Sequence, residues 1–361
     1  MPPPKPTLAR SASSTGSRSV NIDLFCQVID YFGDVAVTYR LARALKQRKP
    51  SLTLRFYCTH PDLVLALHPT HDQQSIALLP YTSASGQAMP ADVAIEAFAC
   101  TLPQDYPLPP IIINLEYLTA ESWINDYHGL ESFGMNPAGK KFFFFPSFTA
   151  QGSLTHGDFI EEKEIVQRHP SLTKKELSVE LDLPKSYLSR PWLLLYLYEI
   201  NETFLHQLLD HFAIIQIGAS PTTIEDAWLV KRRCSQAIFD RLLLVADALF
   251  IRGEDSLSRA VLAGKPFLWQ AYRQEEEYHH VKVHALNDHL ADLYAHPDHQ
   301  HWATLQAKFN RENCVDLAEF FAISTTFFTQ MSNAFCQMPS LEVNLLQFIH
   351  TKGHHTQAPS R

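Results

Sequence analysis

Short apolar runs alternate with stretches in which apolar residues return every third or fourth position, and this alternation restarts midway along the chain. The run at 22–29 is almost continuous and rich in β-branched and aromatic residues, as expected of a strand buried on both faces of a parallel sheet. From Val35 onward Val37, Leu41, Ala44 and Leu45 recur at helical spacing, with Arg40, Arg43 and Lys46 on the other side. Residues 52–57, 93–98 and 111–115 read as further strands, 62–67 as a short helix, and 141–146 as a strand ended by Pro146. From Ser147 to about Pro191 the chain is more polar, with a helical segment near 174–181. A second series then opens with strand 192–198, helix 202–210 and strand 212–217. Such alternation predicts an α/β protein of two Rossmann-like, doubly wound domains facing a central cleft.

The segment 247–269 reads as strand, turn, helix, stop and strand in one pass. Apolar residues fill 248–251, Gly253 makes the turn, a helix runs from about 255 to 263, Gly264 ends it and Pro266 follows. At about 150 residues per domain, 361 residues suit two domains. The expected division is an arm at 1–20, an N-terminal domain at 21–188, a C-terminal domain at 189–340, a helix at 341–351 that packs back on the N-terminal domain, and a tail at 352–361. The arm and tail are polar or rich in Pro and Ser, too poor in apolar residues to offset their ordering entropy, and are expected to be disordered.

A formal charge of -8 and a pI near 6.1 argue against a chain that coats nucleic acid or lies on a membrane, since both call for basic patches. The six cysteines show no Cys-x-x-Cys spacing and mostly sit in apolar stretches, which suits a reducing cytoplasm. No apolar run approaches the roughly 18 residues of a membrane span, and the N-terminus lacks the apolar core of a signal peptide.

Candidate chemistry gathers at two strand-to-helix junctions. Asp30 and Asp34 flank Gly33 where the first strand gives way to the first helix, the place where open α/β sheets hold ligands. Taken alone, Asp34 reads first as a helix N-cap. Asp30, ending a buried strand, needs a partner or a cleft. At the second junction Glu254, Asp255 and Ser256 surround a helix start, which serves anions through free N–H groups and its dipole. Acidic residues in a first turn also complement that dipole without any ligand. The Gly264-Lys265 pair lacks the upstream glycine of a phosphate-binding loop, and no Gly-x-Gly-x-x-Gly follows the first strand, so nucleotide hydrolysis and nicotinamide chemistry lose ground. His279-His280 and the run from His296 to His301 have no spacing typical of a metal site, and no Asp-x-Asp triplet is present.

Together, residues 25–34 (FCQVIDYFGD), 40–43 (RLAR), 114–121 (NLEYLTAE), 143–146 (FFFP), 252–256 (RGEDS) and 263–267 (AGKPF) resemble the bacterial protein-arginine rhamnosyltransferases that modify elongation factor P, the EarP family. The resemblance runs from about Asn21 to about Phe348. It implies a GT-B fold with an acceptor-binding N-terminal half and a C-terminal half holding dTDP-β-L-rhamnose, and an inverting transfer of rhamnose to an arginine of elongation factor P. By the same resemblance Asp34 takes the place of the general base and Asp30 that of its companion carboxylate. Glu254, Asp255 and Ser256 match the donor-binding turn, Gln236, Phe239, Tyr198 and Tyr196 match nucleotide-contacting positions, and Gly33 is expected among the donor-binding residues. Core packing is the competing reading of these aromatics. No metal or other cofactor is expected. Tyr31 stands where the family usually has Asn and Ala36 where it usually has Gly.

Two other readings of the cleft stand beside this one: a GT-B transferase or epimerase acting on a small molecule, and a non-catalytic nucleotide-sugar-binding protein.

Overall fold

Strand β1 (Asn21–Cys26) is buried from Ile22 to Cys26, and burial on both faces calls for neighbours on either side and helices above and below. The computed structural model, which describes residues 19–28, 33–85, 90–98, 100–132, 139–218, 224–293 and 295–356, supplies both. β1 pairs in parallel with β2 (Thr53–Cys58) and β4 (Val93–Ala97). β3 (Ala77–Pro80), β5 (Ile111–Leu115) and β6 (Lys140–Phe144) complete a sheet of order β3-β2-β1-β4-β5-β6, all parallel. The order reverses between β1 and β4, so a crevice opens beyond the carboxyl ends of those two strands. Inside the sheet Asp23 of β1, fully buried, accepts bonds from Arg55 Nε and Nη2, both at 2.7 Å, and from the Tyr106 hydroxyl at 2.6 Å.

A second parallel sheet has the order β11-β10-β7-β8-β9, from β7 (Trp192–Leu195), β8 (Ala213–Ile217), β9 (Leu229–Arg232), β10 (Ala248–Arg252) and β11 (Phe267–Gln270). Its order reverses between β7 and β10. Helices α1 (Gly33–Arg48), α2 (Pro61–Leu67) and α3 (Ile124–Tyr127) belong to the first half of the chain. They are followed by α4 (Gly157–Arg168), α5 (Pro170–Glu180), α6 (Glu202–His211), α7 (Gln236–Val245) and α8 (Glu254–Ala263). The last are α9 (His279–Leu293), α10 (His299–Glu312), α11 (Leu317–Ala322), α12 (Thr325–Cys336) and α13 (Leu341–Thr356).

Packing divides the chain differently from composition. The expected boundary at 188 falls inside the second core, because Phe148, Leu154, Phe159, Val166, Leu177 and Tyr187 belong to the same buried cluster as the residues of β7, β8 and β10. The polar surface of α4 and α5 hides this in the sequence, since each carries only a narrow apolar stripe. Leu341, Leu345 and Ile349 of α13 return to the first core. That helix continues past 351, where the composition suggests a tail, to Thr356. Lys352 explains the extension: its ammonium donates to the Gly129 carbonyl at 2.8 Å and lies over the rings of Phe142 and Phe348. The arm up to residue 18 and the tail from 357 lie outside the described residues. The chain thus crosses between domains twice, and the crossings are stitched together by bonds from Thr155 Oγ1 to the Phe335 carbonyl and from the Leu341 N–H to the Thr155 carbonyl.

Candidate active site

The first turn of α1 carries Asp34 at the first crevice. α1 begins at Gly33, and Asp34 is a first-turn residue of that helix rather than the cap itself. Its carboxylate is buried, and Oδ1 accepts a hydrogen bond from the Tyr117 hydroxyl at 2.9 Å. Tyr117 stands just beyond β5 and stacks on Phe98, just beyond β4, with centroids 4.4 Å apart. Three neighbouring strand ends therefore converge on one carboxylate. Beside them Glu116 receives the Asn114 amide, and burial raises its pKa despite that bond and nearby Lys141. Ala36 lies within α1 and outside the positive-φ residues, so the absence of glycine there strains nothing. Asp30 and Tyr31 lie outside the described residues.

The second crevice is built at the reversal between β7 and β10. Tyr196 and Tyr198 follow β7, and Arg252 ends β10 with its guanidinium carbon 4.5 Å and 4.4 Å from their two ring centres. Arg252 Nη1 also donates to the Leu197 carbonyl at 3.2 Å. The chain then turns at Gly253, whose φ of +74° a side chain would strain, and enters α8 at Glu254. No side chain caps this helix, so its first N–H groups and positive dipole end face the crevice. Ser256 is buried in the first turn, and Phe239 packs edge-on against Tyr196 at 5.3 Å.

The structure gathers Tyr196, Tyr198, Phe239, Gly253, Glu254 and Ser256 at this site, and turns Asp255 and Gln236 elsewhere. Asp255 pairs with buried Arg259 one turn along α8. Gln236, with its amide nitrogen toward His68 Nε2 at 2.8 Å, offers its oxygen to Arg40 and Arg259. Both side chains belong to a polar cluster at the domain interface, while the backbone at Asp255 stays in the helix's first turn.

The two crevices open toward each other. Leu118, Thr119 and Ala120, next to Tyr117, line one pocket with Glu254, Leu257, Trp269, Lys282 and Leu286 of the second domain. Lys282 Nζ lies 3.3 Å from Glu254 Oε1. On the rim the Tyr278 hydroxyl donates to Glu121 at 2.5 Å, a bond that raises the tyrosine's pKa. Tyr117, Arg252, Lys282 and the Glu121–Tyr278 tie escaped the sequence reading because each acquires meaning only from a partner distant in the chain. Tyr117 and Glu121 lie in segment 114–121 and Arg252 in 252–256, both carrying the resemblance, but neither segment by itself shows what these side chains meet.

Among the described residues no three His, Cys, Asp or Glu side chains converge as metal ligands. Within 296–301, His296 Nδ1 accepts the Asp298 N–H and its ring packs on Phe327, as does that of His299.

Two histidines of the interface cluster make stability depend on pH. Burial, reinforced by Arg43 and Arg40, pushes His68 down to about 3, and burial with Arg40 and Arg259 pushes His156 well below its usual range. Each titrates near 6.5 once unfolded, so the unfolded chain binds more protons below that value. Their contribution is complete above about pH 6.5 and is lost as pH falls toward the folded values. The melting temperature is expected to drop between about pH 7 and pH 5, with a shallower slope in a His68→Gln/His156→Gln variant. An unchanged slope in that variant would assign the effect to other groups.

Comparison with known proteins places these features in context. The family model described as Elongation-Factor P (EF-P) rhamnosyltransferase EarP matches residues 22–224 and 227–350. The protein-arginine rhamnosyltransferase of Pseudomonas putida is 33% identical over 314 residues, covering 74% of this chain and 80% of that protein. The enzyme of the same name from Shewanella oneidensis is 29% identical over 350 residues, covering 82% and 88%. Among solved structures, one described as the structural basis for EarP-mediated arginine glycosylation of translation elongation factor EF-P superposes with a TM-score of 0.57 at 20% identity, covering 92% of this chain and 99% of that one. The Arabidopsis thaliana protein UGT89C1 complexed with UDP superposes at 0.50 with 13% identity, covering 92% and 99%.

Proposed function

The chain belongs to the EarP family of EF-P rhamnosyltransferases, and from that premise we propose that it moves L-rhamnose from dTDP-β-L-rhamnose to an arginine side chain of EF-P with inversion at the anomeric carbon. The observation that carries this reading is the opposition, across one cleft of a GT-B fold, of a buried carboxylate on the acceptor side and, on the other, a helix start whose positive dipole end has no side-chain cap.

A guanidinium has a pKa above 12 and a delocalised lone pair, so it attacks poorly unless it is oriented and relieved of a proton. Asp34, held by Tyr117, grips the incoming guanidinium and takes its proton as the nitrogen–carbon bond to the sugar forms. Asp30 is proposed as its companion. At the same time the bond from the anomeric carbon to the diphosphate oxygen breaks, and its electron pair leaves with dTDP. Developing charge on that oxygen meets the N–H groups of α8 from Gly253 to Ser256 and the guanidinium of Arg252. These groups supply the stabilisation without a metal in this reading. In this reading Tyr196, Tyr198 and Phe239 offer aromatic surface for the nucleoside, and Glu254 bonds sugar hydroxyls. A single displacement of this kind exchanges the β for the α configuration.

All six cysteines are free, which supports a reducing cytoplasm as the site of action. No helix of the described residues is long and apolar enough to cross a membrane. Mixing the protein with EF-P and dTDP-β-L-rhamnose is expected to add one deoxyhexose to an EF-P arginine, seen by intact-mass and peptide mass spectrometry. Donor consumption with unmodified EF-P would instead favour a small-molecule acceptor, and donor binding without turnover a binding protein.

A further inference from the structure

The helix that carries Asp34 and the helix that begins with the donor turn are joined through the interior by an unbroken chain of alternating charges. Arg40, on α1 beyond Asp34, is 2% exposed, and its Nη2 donates to both carboxylate oxygens of Asp240 on α7, at 2.8 and 3.2 Å. Its Nη1 lies 3.5 Å from Asp158 on α4. Asp240 also accepts from Arg259 on α8, and Arg259 pairs with Asp255 in the first turn of that helix. Gln236 bridges Arg40 and Arg259 from α7. Arg40 comes from the first core, whereas α4, α7 and α8 pack in the second.

Buried ions of this kind are costly unless paired, and breaking one partner away leaves an uncompensated charge. If α1 slides or lifts from α7, the Arg40 guanidinium loses Asp240 in a dry interior. The arrangement therefore defines one separation between the domains, with Arg40, on the helix that carries Asp34, at one end of the chain of charges and the α8 start at the other. A guanidinium fits this task better than an ammonium, because its Nη2 engages both Asp240 oxygens while its Nη1 faces Asp158, so one planar group fixes angle as well as distance against two helices of the second domain.

We infer that Arg40 is a positioning residue for the transfer: its pairing with Asp240 sets the closed separation of Asp34 from the donor turn. This rests on the roles proposed above for those two groups. Misplacement by about 1 Å costs roughly 100-fold in rate, so a loosened interface shows in turnover before it shows in donor affinity.

The test is Arg40→Met, which leaves the Asp240–Arg259–Asp255 pairs within the second domain, beside Arg40→Lys. Steady-state kinetics with EF-P and dTDP-β-L-rhamnose, calorimetric dTDP affinity and small-angle scattering are measured for both. Arg40→Met is expected to bind dTDP within about threefold of wild type, lose about 100-fold in kcat, and scatter as a more open molecule. Arg40→Lys keeps the charge, remains folded, and recovers part of kcat. Wild-type kcat in Arg40→Met overturns the inference. So does a loss of kcat without opening, or a loss of dTDP affinity as large as the loss of rate. Should Arg40→Met not fold, wild-type kcat in Arg40→Lys overturns it equally. A wild-type protein inert toward EF-P would refute the functional reading alone, since scattering still reports whether Arg40 holds the domains together.

Discussion

Replacing Asp34 with asparagine is expected to slow rhamnose transfer by about 10³-fold, with dTDP affinity and melting temperature close to wild type. The substitution keeps the shape of the side chain and an oxygen for the Tyr117 hydroxyl, 2.9 Å away in the native protein. It removes the negative charge and the capacity to accept a proton, and both are needed at one moment. Because Asp34 sits in the first turn of α1 while the donor turn belongs to the other domain, the loss falls on kcat and leaves nucleotide binding alone. Tyr117→Phe gives a graded comparison, since the base survives there but one of its orienting bonds does not. Turnover of Asp34→Asn within a few-fold of wild type would leave the proton without its proposed acceptor.

The second large effect is expected on the opposite wall. Arg252→Ala should weaken dTDP binding by about 30-fold, roughly 2 kcal/mol, the scale of a charge-assisted bond to phosphate. The guanidinium is held between Tyr196 and Tyr198 and tied to the Leu197 carbonyl, so it is preorganised before any ligand arrives. Its loss also frees the two rings, and the effect on the donor KM should accordingly exceed that on kcat. Calorimetry with dTDP separates this variant from Asp34→Asn. Unchanged affinity in Arg252→Ala would remove the diphosphate from this crevice.

The central strands of both sheets were legible because burial on two faces leaves near-continuous apolar runs, as in residues 111–115 and 213–217. The edge strands β3 and β9 were not. Each is four residues long and only partly buried, so its apolar residues do not stand out from a loop. Asp34 and the turn at Gly253 were legible because a strand, a turn glycine and a helical repeat follow one another within a few residues. Tyr117 and Arg40 were not, since their partners lie 83 and 200 positions away. Gln236 and Asp255 carried the right motif but gave no hint that their side chains would turn to a buried cation. Among the described residues the chemistry of single positions was readable, and the contacts between domains were not.

The return of α13 to the first core has a consequence for how the protein is made. Residues up to about Ser147 leave the ribosome first, yet the layer that covers β5 includes Leu341, Leu345 and Ile349 near the far end of the chain. The second core, from Phe148 to Phe335, is contiguous and can close during synthesis. The domain translated first is therefore completed last. Through most of elongation it exposes an apolar sheet face that only the final helix can cover, and nascent chains halted before Leu341 should be the ones that chaperones hold and proteases clear.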